Sequence, residues 1–214
     1  MRKRTAILIS GRGSNLVSLI EAASAPDFPA EIALVVSNRP DAAGLVRARS
    51  AGIATVTVDH TQYATRMAFE AKLHVALLEH RIDLVCLAGF MRMLTGRFVD
   101  RWQDRMLNIH PSLLPAFPGL DTHQRVLDQG VLITGCTVHF VRVELDAGPI
   151  IAQAAVRVLP GDTAEALGAR VLAAEHRLYP HALKLVASGD ARVEPGRVIT
   201  SAINQGAPLF SPPL

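Results

Sequence analysis

The sequence predicts a doubly wound α/β domain, with a mostly parallel sheet and an antiparallel edge addition in its C-terminal half. Three observations predict it. Short continuous apolar runs recur through the first half of the chain. Helical stretches separate them, and strands alternating with helices argue for a parallel sheet. After residue 110 the rhythm changes, and a Pro/Gly-rich loop from His110 to Gly119 opens a second set of elements.

The strand candidates are Ala6–Ile9, Ile32–Val36, Ala54–Val58, Leu84–Ala88 and Met106–Ile109. Apolar runs of this length suit strands covered on both faces. Between them lie helix candidates at Asn15–Ala23, Ala42–Ser50 and Tyr63–His80. The last places Met67, Phe69, Leu73, Ala76 and Leu77 at roughly helical spacing. Asp41 and Thr61 stand where helix caps are expected. Beyond the Pro/Gly loop, a short helix is expected near Thr122–Asp128. Thr137–Val143 and Ile150–Val158 then read as an antiparallel pair joined through Asp146-Ala147-Gly148-Pro149. A helix from about Thr163 is expected to end at Leu178, before Pro180, with a continuation to about Ser188. The stretch from Gly189 reads as an irregular tail.

A length of 214 residues favours one domain. We expect residues 1–188 to form it, with 189–214 as a tail and not a separate domain. Half of the chain is hydrophobic and 19% is charged, which suits a sizeable core and excludes general disorder. The net charge is only +3 and the Lys and Arg residues are scattered. That pattern suits small anionic substrates and argues against a nucleic-acid partner. Cys86 and Cys136 lie inside apolar runs and read as buried reduced thiols, which fits a cytoplasmic location. Met1-Arg2-Lys3-Arg4 before Ala6–Ile9 faintly imitates a secretion signal, but the apolar run is too short. No run approaches the roughly 18 apolar residues of a membrane span, so no membrane partner is expected.

Chemistry concentrates at Leu107-Asn108-Ile109-His110-Pro111-Ser112-Leu113-Leu114-Pro115. Residues two apart on a strand point to the same side. The Asn108 amide and the His110 imidazole can therefore converge, one to stabilise a developing oxyanion and one to move a proton. Asp146, in its Gly/Pro turn, is the candidate third group, since an adjacent carboxylate favours the imidazolium form. Taken singly, a His in a loop is more often structural and an Asp before a Gly-Pro turn is often only turn chemistry; the combination points to function. Ser112 lacks the G-x-S-x-G surroundings of a nucleophile and reads as a turn residue. The eight histidines show no metal-ligand spacing, so no metal is expected.

The first strand runs into Ser10-Gly11-Arg12-Gly13-Ser14-Asn15 and then a helix. Exposed backbone N–H groups and the helix dipole favour a phosphate there, with Ser14 and Asn15 as added donors. The dinucleotide fingerprint is incomplete, because Leu16 stands where its third glycine belongs, and no acid follows the second strand at Ser37-Asn38. A monophosphate therefore fits better than NAD or ATP, and a merely tight strand–helix turn is the bland alternative. Met91, Met93 and Leu94 follow the fourth strand at the sheet's carboxyl edge, where α/β folds bind ligands; plain core is the alternative there too.

Taken together, Ile9 to Asn15, Val36-Ser37-Asn38, Leu87 to Arg92, Asn108 to Pro115, Val138 to Val141, Asp146 to Ile151 and Glu175 to Pro180 resemble the folate-dependent formyltransferase family. The G-x-G-S-N loop resembles its branch acting on 5′-phosphoribosylglycinamide. The resemblance implies a Rossmann-like formyltransferase fold. It also implies formyl transfer from 10-formyltetrahydrofolate, as donor co-substrate, to that acceptor's amine in de novo purine (IMP) synthesis. It makes Asn108, His110 and Asp146 the catalytic trio. Gly13, Ser14 and Asn15 would hold the acceptor's phosphate, and Glu175 its ribose hydroxyls. Met91, Arg92, Met93 and Leu94 would line the folate pocket with Asn108, Val143 and Asp146, and Arg66 would meet the folate's anionic part. The implied partners are these small molecules, for a monomer or homodimer. Formyltetrahydrofolate deformylase and methionyl-tRNA formyltransferase share the scaffold. The G-x-G-S-N loop argues against the first and the sparse basic patches against the second, and neither one's extra domain is expected. A phosphate-binding module without turnover is the third alternative, and the intact trio argues against it.

Overall fold

A computed structural model describes residues 1–195, 197–201 and 211. Among the described residues, nine strands and six α-helices follow one another along the chain. The strands are β1 (Lys3–Ile9), β2 (Ala30–Ser37), β3 (Thr55–Thr57), β4 (Leu84–Leu87), β5 (Met106–His110), β6 (Ile133–Phe140), β7 (Ile150–Arg157), β8 (Ala191–Glu194) and β9 (Arg197–Thr200). The helices are α1 (Ser14–Ala23), α2 (Ala43–Ser50), α3 (Arg66–Glu79), α4 (Gly96–Arg101), α5 (Thr122–Asp128) and α6 (Ala164–Ser188). Seven strands form a sheet in the order β3-β2-β1-β4-β5-β6-β7, and β8 pairs with β9 separately. The β1–β2, β1–β4, β2–β3 and β4–β5 pairs are parallel, and β6–β7 is antiparallel. This is the expected doubly wound class. The chain divides into two compact units, residues 1–108 with 140–143, and residues 109–139 with 144 onward.

In the first unit, alternation along the strands sends side chains to two covered faces. Ala6 and Leu8 of β1, Leu34 and Val36 of β2, and Val85 and Leu87 of β4 share one core cluster. Phe69, Leu73 and Leu77 of α3 enter it at four-residue spacing, with Phe98 and Trp102 from α4 and its end. Ile7 and Ile9 point the other way and are fully buried, as are Leu16 and Leu19 of α1. Fully burying one such side chain contributes about 1.5–3 kcal/mol, so the continuous apolar runs suffice to define the strands.

In the second unit, Val126 of α5, Cys136 of β6, and Leu167 and Val171 of α6 make a smaller core. The Thr163 side chain caps α6 by accepting the Ala166 N–H, and Gly189, at φ 84°, closes it. The helix runs unbroken through Pro180, against the expected stop before that residue. Proline forfeits one backbone hydrogen bond at a cost of about 3 kcal/mol. Tyr179, Ala182 and Leu183 around it are fully buried, and their packing offsets the loss.

Other boundaries differ for local reasons. α3 begins at Arg66, where Thr65 accepts the Ala68 N–H at 3.1 Å. Thr61 instead lies in a 3-10 turn, His60–Gln62, capped by Asp59. Ala42 holds the cap position of α2, and Asp41 pairs with Arg39 at 3.2 Å. α4 had no counterpart in the sequence reading. Buried Glu70 accepts the Thr95 N–H at 2.6 Å and the Thr95 hydroxyl, and so fixes that helix's start. β8 and β9 replace the irregular tail over 191–194 and 197–200; the expectation for 196, 202–210 and 212–214 lies outside the described residues.

Close approach makes one glycine indispensable. A Cβ on Gly135 of β6 would lie 1.9 Å from the Ala154 carbonyl oxygen of β7. Gly135→Ala is expected to lower stability by about 2 kcal/mol, the scale of core overpacking, read as a reduced urea midpoint at unchanged slope. A midpoint equal to wild type contradicts the strand spacing.

Candidate active site

β5 ends at His110, whose ring is buried in the second unit. Its Nδ1 lies 3.3 Å from Asp146 Oδ2, and its Nε2 lies 2.8 Å from the Phe117 carbonyl oxygen. A carboxylate and a carbonyl can only accept. A ring donating from both nitrogens therefore satisfies both neighbours at once. Asn108 precedes it by two residues on the same strand, half-buried and on the same side.

Asp146 reaches this ring from the turn after β6, where its backbone is left-handed at φ 53°. Its Oδ2 also accepts the Gly119 N–H at 2.9 Å, and its Oδ1 lies 3.7 Å from His139 Nε2. The carboxylate and both imidazoles are nearly inaccessible to solvent. The loop between β5 and α5 is tied down separately. The Ser112 hydroxyl donates to Ala116 O at 2.6 Å, and Thr137 Oγ1 accepts the Leu114 N–H at 3.0 Å. Ser112 is thus a turn residue, as its sequence context suggests. On α5, burial and the nearby His110 hold His123 below the usual histidine range.

The first unit carries a cavity of about 410 Å³ at the C-terminal ends of β1, β2 and β4. The run from Ser10 to Asn15 forms one wall, and Asn38, Arg39, His60, Ala88, Gly89, Met91 and Arg92 form the rest. Gly13 caps α1 in a left-handed conformation at φ 69°, and a Cβ there would press on Leu16 and Gly44. No acidic side chain occupies the first turn of α1, so its positive end is uncompensated. Arg12, Arg39 and Arg92 add positive charge to the walls. The arrangement suits a small phosphorylated molecule.

The candidate residues thus fall into groups. His110 and Asp146 meet directly, and Asn108 shares β5 with His110. Gly13, Ser14, Asn15, Met91 and Arg92 line one cavity; Arg66, Met93, Leu94 and Val143 are not among its walls. Met91, Met93 and Val143 expose large apolar surfaces, whereas Leu94 packs on the core. Arg66 is exposed at the start of α3. Glu175 is buried on α6, in the second unit. Burial and then the Glu175 charge push the Cys136 thiol up to about 12, which leaves it inert.

Sequence reading missed His139, Asn38 and Ser10 as members of polar networks. His139 sits inside the apolar strand run Val138-His139-Phe140-Val141, and its signal is the presence of a polar residue at a fully covered position. Among the described residues, no group of three or more His, Cys, Asp or Glu side chains is placed to hold a metal ion, and no helix is long and apolar enough to cross a membrane.

Known proteins match this arrangement closely. The family model described as formyl transferase matches residues 3–183. Phosphoribosylglycinamide formyltransferase of Escherichia coli is 45% identical over 183 residues, 86% of each chain. The trifunctional purine biosynthetic protein adenosine-3 of Bos taurus is 52% identical over 92% of this chain but only 20% of its own length. The chain accordingly spans a fifth or less of the first curated relatives it matches. Among solved structures, glycinamide ribonucleotide transformylase 1 from Symbiobacterium toebii superimposes with a TM-score of 0.90 at 48% identity, over 93% of this chain and 94% of that one. Phosphoribosylglycinamide formyltransferase from Brucella melitensis gives 0.85 at 56% identity, over 88% and 97%. With its motifs, its strand order and a family match across most of its length, the chain belongs to the formyl transferase family.

Proposed function

We propose that the chain is a phosphoribosylglycinamide formyltransferase, moving the formyl group of 10-formyltetrahydrofolate to the amine of 5′-phosphoribosylglycinamide in de novo purine (IMP) synthesis. The observation that carries this reading is the buried His110 ring, held between Asp146 and a carbonyl as a donor on both sides. The buried thiols of Cys86 and Cys136 fit work in the cytoplasm.

The acceptor amine attacks the formyl carbon, and the carbonyl electron pair moves onto oxygen. Asn108 and His110 Nε2–H stabilise that oxyanion, a contribution of roughly 10²–10³ in rate per donor. For this, Nε2–H exchanges the Phe117 carbonyl for the more negative substrate oxygen. Phe117 holds a left-handed backbone at φ 55°, costly for an aromatic residue, so its carbonyl is an acceptor the loop can release. The leaving folate nitrogen takes a proton from His110, directly or through water, and the proton lost by the attacking amine returns to the ring by the same route, so the enzyme ends as it began. Asp146 keeps the ring oriented throughout. No step forms a covalent bond to the protein or calls for a metal.

Substrate binding follows the same logic. Gly13, Ser14 and Asn15 receive the phosphate at the start of α1, and Glu175 holds the ribose hydroxyls. Met91, Arg92, Met93, Leu94 and Val143 receive the folate with Asn108 and Asp146, and Arg66 meets its anionic end. Holding both reactants supplies much of the remaining acceleration.

An acceptor-dependent formyl-transfer assay tests the reading; formyl release that ignores the acceptor indicates a hydrolase and overturns it. In that assay His110→Ala should lower kcat by about 10²-fold or more, and Asp146→Asn should lower it sharply. Turnover near wild type in His110→Ala removes the ring from the reaction. Ser14→Ala and Asn15→Ala should raise KM for the acceptor with little change in kcat. Equal KM values in both variants and wild type put the phosphate elsewhere.

A further inference from the structure

Just past β1, the buried Ser10 side chain joins three segments of the first unit. Its Oγ accepts the Met91 N–H at 2.8 Å and donates to Asn38 Oδ1 at 2.6 Å. Its own N–H donates to Gly89 O at 3.2 Å. The directions are forced: an N–H cannot accept, so the hydroxyl proton must go to Asn38. His60 Nδ1 lies 2.8 Å from the Asn38 backbone carbonyl oxygen, which can only accept, so Nδ1 donates there, and the Asn38 side chain rests against the same ring nitrogen. Asn38 is almost fully buried, so these bonds are shielded from water. Ser10 thus grips both ends of the Gly89–Met91 turn, and Gly89 is left-handed at φ 71°. Ser10 also opens the loop that ends in Gly13, Ser14 and Asn15.

We propose that Ser10, keyed by Asn38, is a positioning residue that fixes the donor-side segment beginning at Met91 against the acceptor's phosphate loop. The proposal rests on the formyltransferase reading for the identity of the two ligands. One hydroxyl then serves both subsites, and a shift of about 1 Å in a segment that aligns two reactants costs up to about 10²-fold in rate.

The test compares Ser10→Ala with Ser10→Thr, which keeps the hydroxyl, and Ser10→Cys, which keeps the size with a weaker hydrogen bond. Ser10→Ala should raise the KM for 10-formyltetrahydrofolate about fivefold or more, the worth of one ordinary hydrogen bond, with a smaller change in kcat. Threonine should restore most of it and cysteine fall between. In the ligand-free protein, amide exchange at Met91 should speed up about fivefold or more in Ser10→Ala. Exchange at Ala88, bonded to Leu8 O, should stay the same. A KM within twofold of wild type, or unchanged Met91 exchange, overturns the proposal. Should Ser10→Ala not fold, Ser10→Cys is judged by the same two readings. Should the wild type transfer no formyl group, the functional reading falls by itself. Met91 exchange, together with the Kd of 5-formyltetrahydrofolate for wild type and variant, then decides the positioning role.

Discussion

A buried carboxylate has to be matched, and Asp146 is matched from three sides. Gly119 N–H, His110 and His139 all face its two oxygens. An unmatched ion at such a depth costs several kcal/mol. The turn after β6, the end of β5, and the loop carrying Phe117 and Gly119 are therefore held in one arrangement. The left-handed backbone of Asp146 itself is the local cost of bringing its side chain there. The orientation of His110, and with it the proposed chemistry, depends on that match.

The two ends of the reaction call on different physics. At the proposed phosphate end the backbone offers the recognition: a left-handed Gly13, an open helix start and side-chain donors at Ser14 and Asn15. At the formyl end, side chains are set by second partners: His110 by Asp146, and Asp146 by His139 and Gly119. The same principle recurs in the first unit, where Glu70 sets Thr95 and Asn38 sets Ser10. Among the described residues, several buried polar side chains thus hold another polar group in place.

Much of this was legible from residues alone. The apolar runs of β1, β2, β4 and β5 are continuous because both faces of those strands are covered, and their limits fell within a few residues. Asn108, His110 and Asp146 stood out only in combination: each alone suits a loop or turn, but an amide and an imidazole two apart on a strand end share a side, and a carboxylate is on offer to the ring. His139 did not, because a single imidazole in an apolar strand gives no local sign of the carboxylate it will face. The start of α3 was misread because Thr61 and Thr65 are equally good caps in isolation; the 3-10 turn that claims Thr61 depends on Asp59. Pro180 looked like a stop, and only the burial around it keeps α6 continuous. The short helix α4 begins with Gly96 and owes its start to a distant Glu70. Each miss is a tertiary contact overriding a local preference.

The geometry around His110 has both ring nitrogens facing groups that can only accept, and the proposed chemistry needs both to donate. Neutron diffraction from deuterated crystals of the ligand-free protein measures this directly. Deuterons are expected on both Nδ1 and Nε2 of His110 and none on the Asp146 carboxylate. A ring carrying a single deuteron, or a deuteron on Asp146, contradicts that chemistry.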